Sequence, residues 1–383
     1  MPGWHWSIVA DNQLRACRKL GAWEAAWAIF SRVLSAPVQN TFPRFHKMVS
    51  LEDCRRLPKI ELHAHLNGSI SLKTLEKLDA LKRNNSLHSE GSLESLQNLS
   101  LQQPTTMDEV FKIFPLIQSL TTTRGALITA TLDVVKEFAD DGVIYLELRS
   151  TPKSTTEMTK QEYVEALIEA ILQSNNDGNI VTRLLLSIDR RQPVEDAVKT
   201  VDIATLDRSG MIVGVELSGD PSVDGRKFIP ALQKARDAGF KVSVHLAEVD
   251  DQLEEVDEFL EFRPDRIGHG TFLHTEERFV DKVIKDRIPL EICLTSNVMS
   301  MTTRTIADSH LKFWRERSVP FSICTDDKGL MDCDLSREFH EASIAFDLTL
   351  DDLNDISKNA LEMSFLDKSD TVFMKLHGLL KPR

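Results

Sequence analysis

Two histidines separated by one residue, His63 and His65, stand at the end of an apolar, strand-like run. Side chains two apart on a strand point to the same side, so both imidazoles can close on one ion. Imidazole nitrogen and carboxylate oxygen suit Zn²⁺, and two further run ends offer His245 and Asp326. An isolated His-x-His pair is weak evidence, but a third histidine and an aspartate at matching places make the four one expected metal site. A Lys or Glu ending the fourth run could bridge a second ion, yet that run ends in Leu217, Ser218 and Gly219. One Zn²⁺ per chain is therefore expected. Such an ion lowers the pKa of bound water toward about 7 and makes a nucleophile available at neutral pH. Glu248, three residues past His245, is placed to turn off the strand beside the metal as a proton donor, although a first-turn acid more often just faces a helix dipole. His269, between two glycines, can orient the water.

These groups need a scaffold that gathers strand ends. Apolar runs at 59–66, 143–150, 183–189, 212–218, 241–247, 266–270, 289–295 and 320–325 alternate with amphipathic stretches at 125–140, 160–173, 230–238 and 253–262. Eight strands with helices between them predict a TIM (β/α)₈ barrel of the metal-dependent hydrolase type, in which active groups sit at the C-terminal strand ends. No GxGxxG or Walker loop follows any run, so a dinucleotide or ATP site has no support.

The barrel is expected to occupy 58–383, with 1–57 as an N-terminal extension, helical or poorly ordered. Four of the five tryptophans and the basic residues Arg15, Arg18, Lys19 and Arg32 lie in it, and 11–34 reads as an amphipathic helix. A surface helix is the simpler reading; the basic, acid-poor face also allows a mitochondrial transit peptide, against which its few serines argue. The Ser-, Asn- and Gln-rich stretch 83–103 is expected to cross the barrel mouth as a flexible excursion.

A net charge of -13 on 383 residues argues against a surface for nucleic-acid phosphates and for a small-molecule substrate. No run approaches the ~20 apolar residues that span a bilayer. Five cysteines without a CxxC pair, two of them inside strand-like runs, point to reduced thiols and a cytoplasmic location. A monomer is expected.

The segments PKIELHAHLNGS (58–69), HLAE (245–248), RIGHG (266–270), LTSN (294–297) and CTDD (324–327) together resemble the adenosine/AMP deaminase family, in that family's order. HAHLNGSI, YLELRSTP, LSGDP and RIGHGTFL are most similar to its adenosine deaminase-like branch. The resemblance implies zinc-dependent hydrolytic deamination of an N6-substituted purine nucleoside monophosphate, N6-methyl-AMP and water giving IMP and methylamine. It implies that Glu248 protonates the ring while zinc-activated water attacks C6, and that Asp326 ligates zinc and handles the water's proton. It further implies that His269 supports the water, that His65 and Asp326 face the substrate as well as the metal, and that Asp327 and the Gly219 backbone contact the base. Asp189 would hold a ribose hydroxyl, although a turn-forming role explains it nearly as well.

Asn67 bears on the choice of substrate. Nucleoside-specific relatives are expected to carry Asp there, and a carboxylate about 4 Å from a phosphate charge would cost roughly 4 kcal/mol at an effective dielectric of 20. Ser150, Thr151, Pro152 and Lys153 then offer hydroxyl, backbone and cationic contacts for a 5′-phosphate, while capping and solvation explain a single Ser or Lys equally well. Deamination of adenosine to inosine, or a non-catalytic purine-binding barrel, stays open. Gln118 departs from the family, standing where relatives tend to place a substrate-contacting histidine. His88, His274 and His310 read as surface residues, and Phe111, Phe114 and Ile117 as one packed helix face.

Overall fold

The computed structural model describes residues 48–85 and 107–380. The helix expected at 11–34, most of the 83–103 excursion, His88 and the Phe111 side chain lie outside the described residues. Among those described, no helix is long and apolar enough to cross a membrane.

Eight strands form one parallel sheet in sequential order: β1 (Lys59–His65), β2 (Val143–Ser150), β3 (Val181–Asp189), β4 (Ile212–Ser218), β5 (Lys241–Leu246), β6 (Arg266–His269), β7 (Leu290–Ile292) and β8 (Phe321–Ile323). Helices such as Arg124–Asp140, Lys160–Asp177 and Ile229–Asp237 return the chain between them. The architecture is the expected (β/α)₈ barrel. Outward strand residues including Leu148, Leu186, Val215, Val244 and Ile292 are fully buried beneath the helices, each worth about 1.5–3 kcal/mol relative to exposure.

Helix boundaries follow local chemistry. Thr159 accepts from the Glu162 amide in a capping box, and Gly178 ends the same helix in the left-handed region at φ 76°. Ahead of β1, Ser50 and Asp53 cap the Leu51–Arg56 helix reciprocally, and Cys54 reaches the core. The buried Lys59 ammonium donates to the carbonyls of Cys54 and Leu57, which closes that helix onto the floor of the barrel.

The last two strands are shorter than the apolar runs predict. Residues 294–299 turn into a helix, Leu294–Met299, because the buried Glu338 carboxylate accepts from the amides of Leu294 and Thr295 and from the Thr295 hydroxyl. In β8 the ladder stops early because the Thr325 amide and hydroxyl donate to Glu61 Oε2. Glu61 Oε1 accepts the His63 amide, and the β1–β2 register shifts between Glu61 and Ala64. The ring closes one step further on, where the Asp326 amide donates to the His63 carbonyl at 2.8 Å and the His65 amide to the Asp326 carbonyl at 3.0 Å.

Candidate active site

At the C-terminal mouth, a cavity of about 350 Å³ is lined by His65, Asn67, Lys153, His245, Glu248, His269, Asp326 and Asp327 among others, a size suited to a small ligand. On its floor the ring nitrogens of His63, His65 and His245 and an Asp326 oxygen converge within 4.8 Å of one another. His65 Nε2 lies 3.2 Å from His245 Nε2, and Asp326 Oδ1 lies 3.3 Å from His63 Nε2 and 3.4 Å from His65 Nε2. Ligands about 2.0–2.1 Å from a tetrahedral ion stand roughly 3.3–3.4 Å apart. His63 Nε2 is buried without a hydrogen-bond partner, and Gly268 leaves the rings their space, since a Cβ there would stand 2.9 Å from His63 Cε1. The four residues fit one metal ion.

The far nitrogens of these rings meet carboxylates inside the barrel. His63 Nδ1 is 2.7 Å from Glu291 Oε2; His65 and His245 present Nδ1 to Glu216 at 3.6 and 3.7 Å. Glu216, though on β4, thus meets the Nδ1 side of the rings, away from the converging Nε2 atoms of His65 and His245. Arg149 bridges both acids, at 2.5 Å from Glu216 and 2.9 Å from Glu291. Arg266 then links Glu291 to Glu147 and donates to the Met363 carbonyl. Glu147, Arg149, Glu216, Arg266 and Glu291 are fully buried. This ionic layer, which orients the ligands, is what sequence reading missed. Its signal was present: Glu61/His63/His65, Glu147/Arg149, Glu216/Ser218, Ser243/His245 and Glu291 repeat at period two inside apolar runs.

Three residues at or just past their strand ends have positive φ although none is glycine: Ala247 (50°), His269 (59°) and Asp326 (62°). Such backbone is sparsely populated and is maintained where the surroundings impose it. It turns Glu248, His269 and Asp326 toward the same volume. His269 Nε2 is 3.7 Å from Glu248 Oε1 and 3.8 Å from Asp326 Oδ2, separations that one bridging water spans. Ser296 Oγ donates to Asp326 Oδ2 at 2.7 Å.

Protonation states differ among these neighbours. Burial, and then the Asp326 charge, raises Glu248 to about 8, so it carries a proton at neutral pH. Burial holds His269 near 3, a neutral imidazole. Burial would raise Asp326, but the His63 imidazole 3.3 Å away and the His269 and His65 rings outweigh it and hold it well below the usual range. Its neighbour Asp327 is pushed well above by burial and by Asp326 itself. An acid and a carboxylate are thus held side by side.

The remaining expected contacts are distributed around the wall. The Asn67 side-chain oxygen is buried without a partner. Lys153 is half-buried with its amine pushed down to about 8 by burial. Ser150 Oγ shares a hydrogen bond with Tyr163 Oη. Thr151 lines the cavity, and Pro152, buried beside it, does not. Asp189 lines the cavity, but both its oxygens receive Arg191. Gly219, at φ 101°, could not carry a side chain, whose Cβ would fall 2.4 Å from Asp189 Oδ1. Phe114 and Gln118 line the cavity and Ile117 is buried behind them. His274 is half-buried; His310, expected at the surface, is buried with Nε2 2.9 Å from the His269 carbonyl.

The family model described as adenosine deaminase matches residues 58–374. The chain belongs to the adenosine deaminase family. Within that family it is 44% identical over 322 residues to N6-methyl-AMP deaminase of Danio rerio, covering 81% of this chain and 91% of that one. It is 42% identical over 339 residues to N6-methyl-AMP deaminase of Homo sapiens, covering 85% and 94%. The structure superposes on a crystal structure of Arabidopsis ADAL complexed with IMP with a TM-score of 0.78 at 35% identity, covering 86% of this chain and 97% of the other.

Proposed function

We propose that this chain hydrolyses N6-methyl-AMP to IMP and methylamine, with one Zn²⁺ held by His63, His65, His245 and Asp326. Water adds its oxygen to C6, and the C6–N6 bond breaks with the amine leaving protonated at N6. The observation that carries the reading is the buried Glu248 carboxyl 3.7 Å from His269 Nε2, beside the converging atoms of His63, His65, His245 and Asp326. The family's membership and its N6-methyl-AMP deaminase relatives support the same assignment.

When bound, the ion lowers the pKa of a coordinated water and so supplies a nucleophile at neutral pH. The protein's own groups do the rest. Glu248 gives its proton to the ring nitrogen beside C6, which makes that carbon electrophilic. Asp326 Oδ2, fixed by Ser296, accepts a proton from the attacking water and passes it to N6 as the amine leaves. The proton remaining on the new C6 oxygen returns to Glu248, and the neutral His269 ring keeps the water aligned. Asp327, its carboxyl raised by burial and then by the Asp326 charge, lines the cavity and meets the base. Asn67 presents an acceptor to a sugar hydroxyl, and Lys153 with Thr151 meets the phosphate.

The test is a comparison of kcat/KM for N6-methyl-AMP, AMP and adenosine, alongside metal analysis. Preference for adenosine, or full activity without stoichiometric zinc, would overturn the assignment. Glu248→Gln is expected to lower kcat about 10²–10⁴-fold while the protein keeps its zinc.

A further inference from the structure

His269 owes its place to a backbone conformation uncommon for any residue but glycine, φ 59°. Among the described residues its ring nitrogens are both buried without hydrogen-bond partners, so hydrogen bonds that bear on its aim run through the main chain. The Gly270 amide donates to the Leu246 and Gly268 carbonyls, and the His269 carbonyl is met by His310 Nε2 at 2.9 Å.

We propose that His310 is a positioning residue for the reaction: its Nε2–H holds the His269 carbonyl, and with it the left-handed turn that directs the His269 imidazole at the attacking water. His310 precedes the Leu311–Glu316 helix but makes no side-chain cap there, so capping does not account for it. Its Nδ1 is buried without a partner, the arrangement left when Nε2 is the protonated nitrogen. Burial keeps His310 neutral, near 3. The His274 ring stacks alongside at 6.2 Å, with its own Nδ1 2.9 Å from the Thr271 carbonyl. Two imidazoles thereby grip the main chain at 269 and 271. The inference rests on the reading that His269 serves the proposed deamination.

Three variants of the zinc-loaded enzyme separate positioning from bulk packing. His310→Leu keeps volume and loses the donor; His310→Gln restores a donor of similar reach; His310→Asn is polar but shorter and replaces the Leu variant if that chain does not fold. A donor lost behind the reacting group is expected to lower kcat about 100-fold with KM and zinc content unchanged, and Gln is expected to recover most of the loss. Loss of kcat under about threefold in the Leu or Asn variant, or equal loss in Gln and Leu, overturns the proposal. A crystal structure of the Leu or Asn variant gives a readout independent of substrate. His269 is expected to leave its left-handed conformation or swing its ring; an unmoved His269 overturns the positioning role whatever the substrate proves to be. Failure of the parent enzyme on N6-methyl-AMP would instead count against the functional reading.

Discussion

His63 and Asp326 are joined twice, through the main chain by the Asp326 amide on the His63 carbonyl at 2.8 Å and through side chains by Oδ1 against Nε2 at 3.3 Å. The seam where the barrel closes and the place where the ion is expected are therefore one. Stripping the metal with a chelator should loosen the closure as well as stop turnover. Saturating zinc at 100 times its dissociation constant stabilises by about 2.7 kcal/mol. A drop of several degrees in Tm on chelation, reversed by added Zn²⁺, is expected by calorimetry, and an unchanged Tm would contradict the shared seam.

Glu291 supports the same ligand from behind, its Oε2 2.7 Å from His63 Nδ1 and its other oxygen on Arg266. Glu291→Gln is expected to weaken zinc affinity about 10–100-fold. Competition against a chromogenic chelator measures this directly. Because the change also leaves Arg149 and Arg266 with less buried countercharge, a stability loss of about 3–5 kcal/mol should accompany it, read from denaturant unfolding.

Lys153 gives the phosphate contact a pH signature. Burial lowers its amine to about 8, and a bound phosphate dianion would draw it up again. Nucleotide binding is therefore favoured while the amine is protonated and weakens as pH rises through about 8. KM for the nucleotide should climb from there, whereas Lys153→Met should have a raised KM that no longer responds over that range. Parallel profiles for parent and variant would remove Lys153 from the phosphate site.

Asn67 lines the cavity with an unpartnered oxygen. Asn67→Asp adds a fixed charge facing the nucleotide, and at about 4 Å and an effective dielectric of 20 the repulsion is roughly 4 kcal/mol. Water at the mouth reduces this, so a fall of about 10²-fold in kcat/KM for the nucleotide is expected, with a smaller change for the nucleoside. Equal effects on both substrates would place Asn67 away from the phosphate.

Much of this site was legible before the fold was. Period two in the run through His63 and His65, and polar groups at the ends of other apolar runs, pointed to the barrel and to four side chains that converge in it, because strand geometry fixes which side chains share a face. The buried acids Glu216 and Glu291 obeyed the same period, but an isolated charge in an apolar run does not name its partner, here Arg149 from another strand. Glu338 reshaped the end of β7 from 43 positions away, and no local pattern announces that. His310 follows Asp308 and Ser309 and reads as surface; it is instead buried against the His269 carbonyl at the end of β6. Ala247, His269 and Asp326 are left-handed without being glycine, so residue type does not betray them.

The ionic layer of Arg149, Glu216, Glu291 and Arg266 fills the barrel directly under His63, His65 and His245, which makes the pocket a blind alley. In the proposed reaction a nucleotide would enter it base first and leave by the way it came. In the proposed reaction methylamine forms at the closed end, behind the larger product, so its departure must wait for IMP to move. Turnover then has an enforced exit sequence, with the nucleotide as the stopper, and added IMP should hold the amine in place.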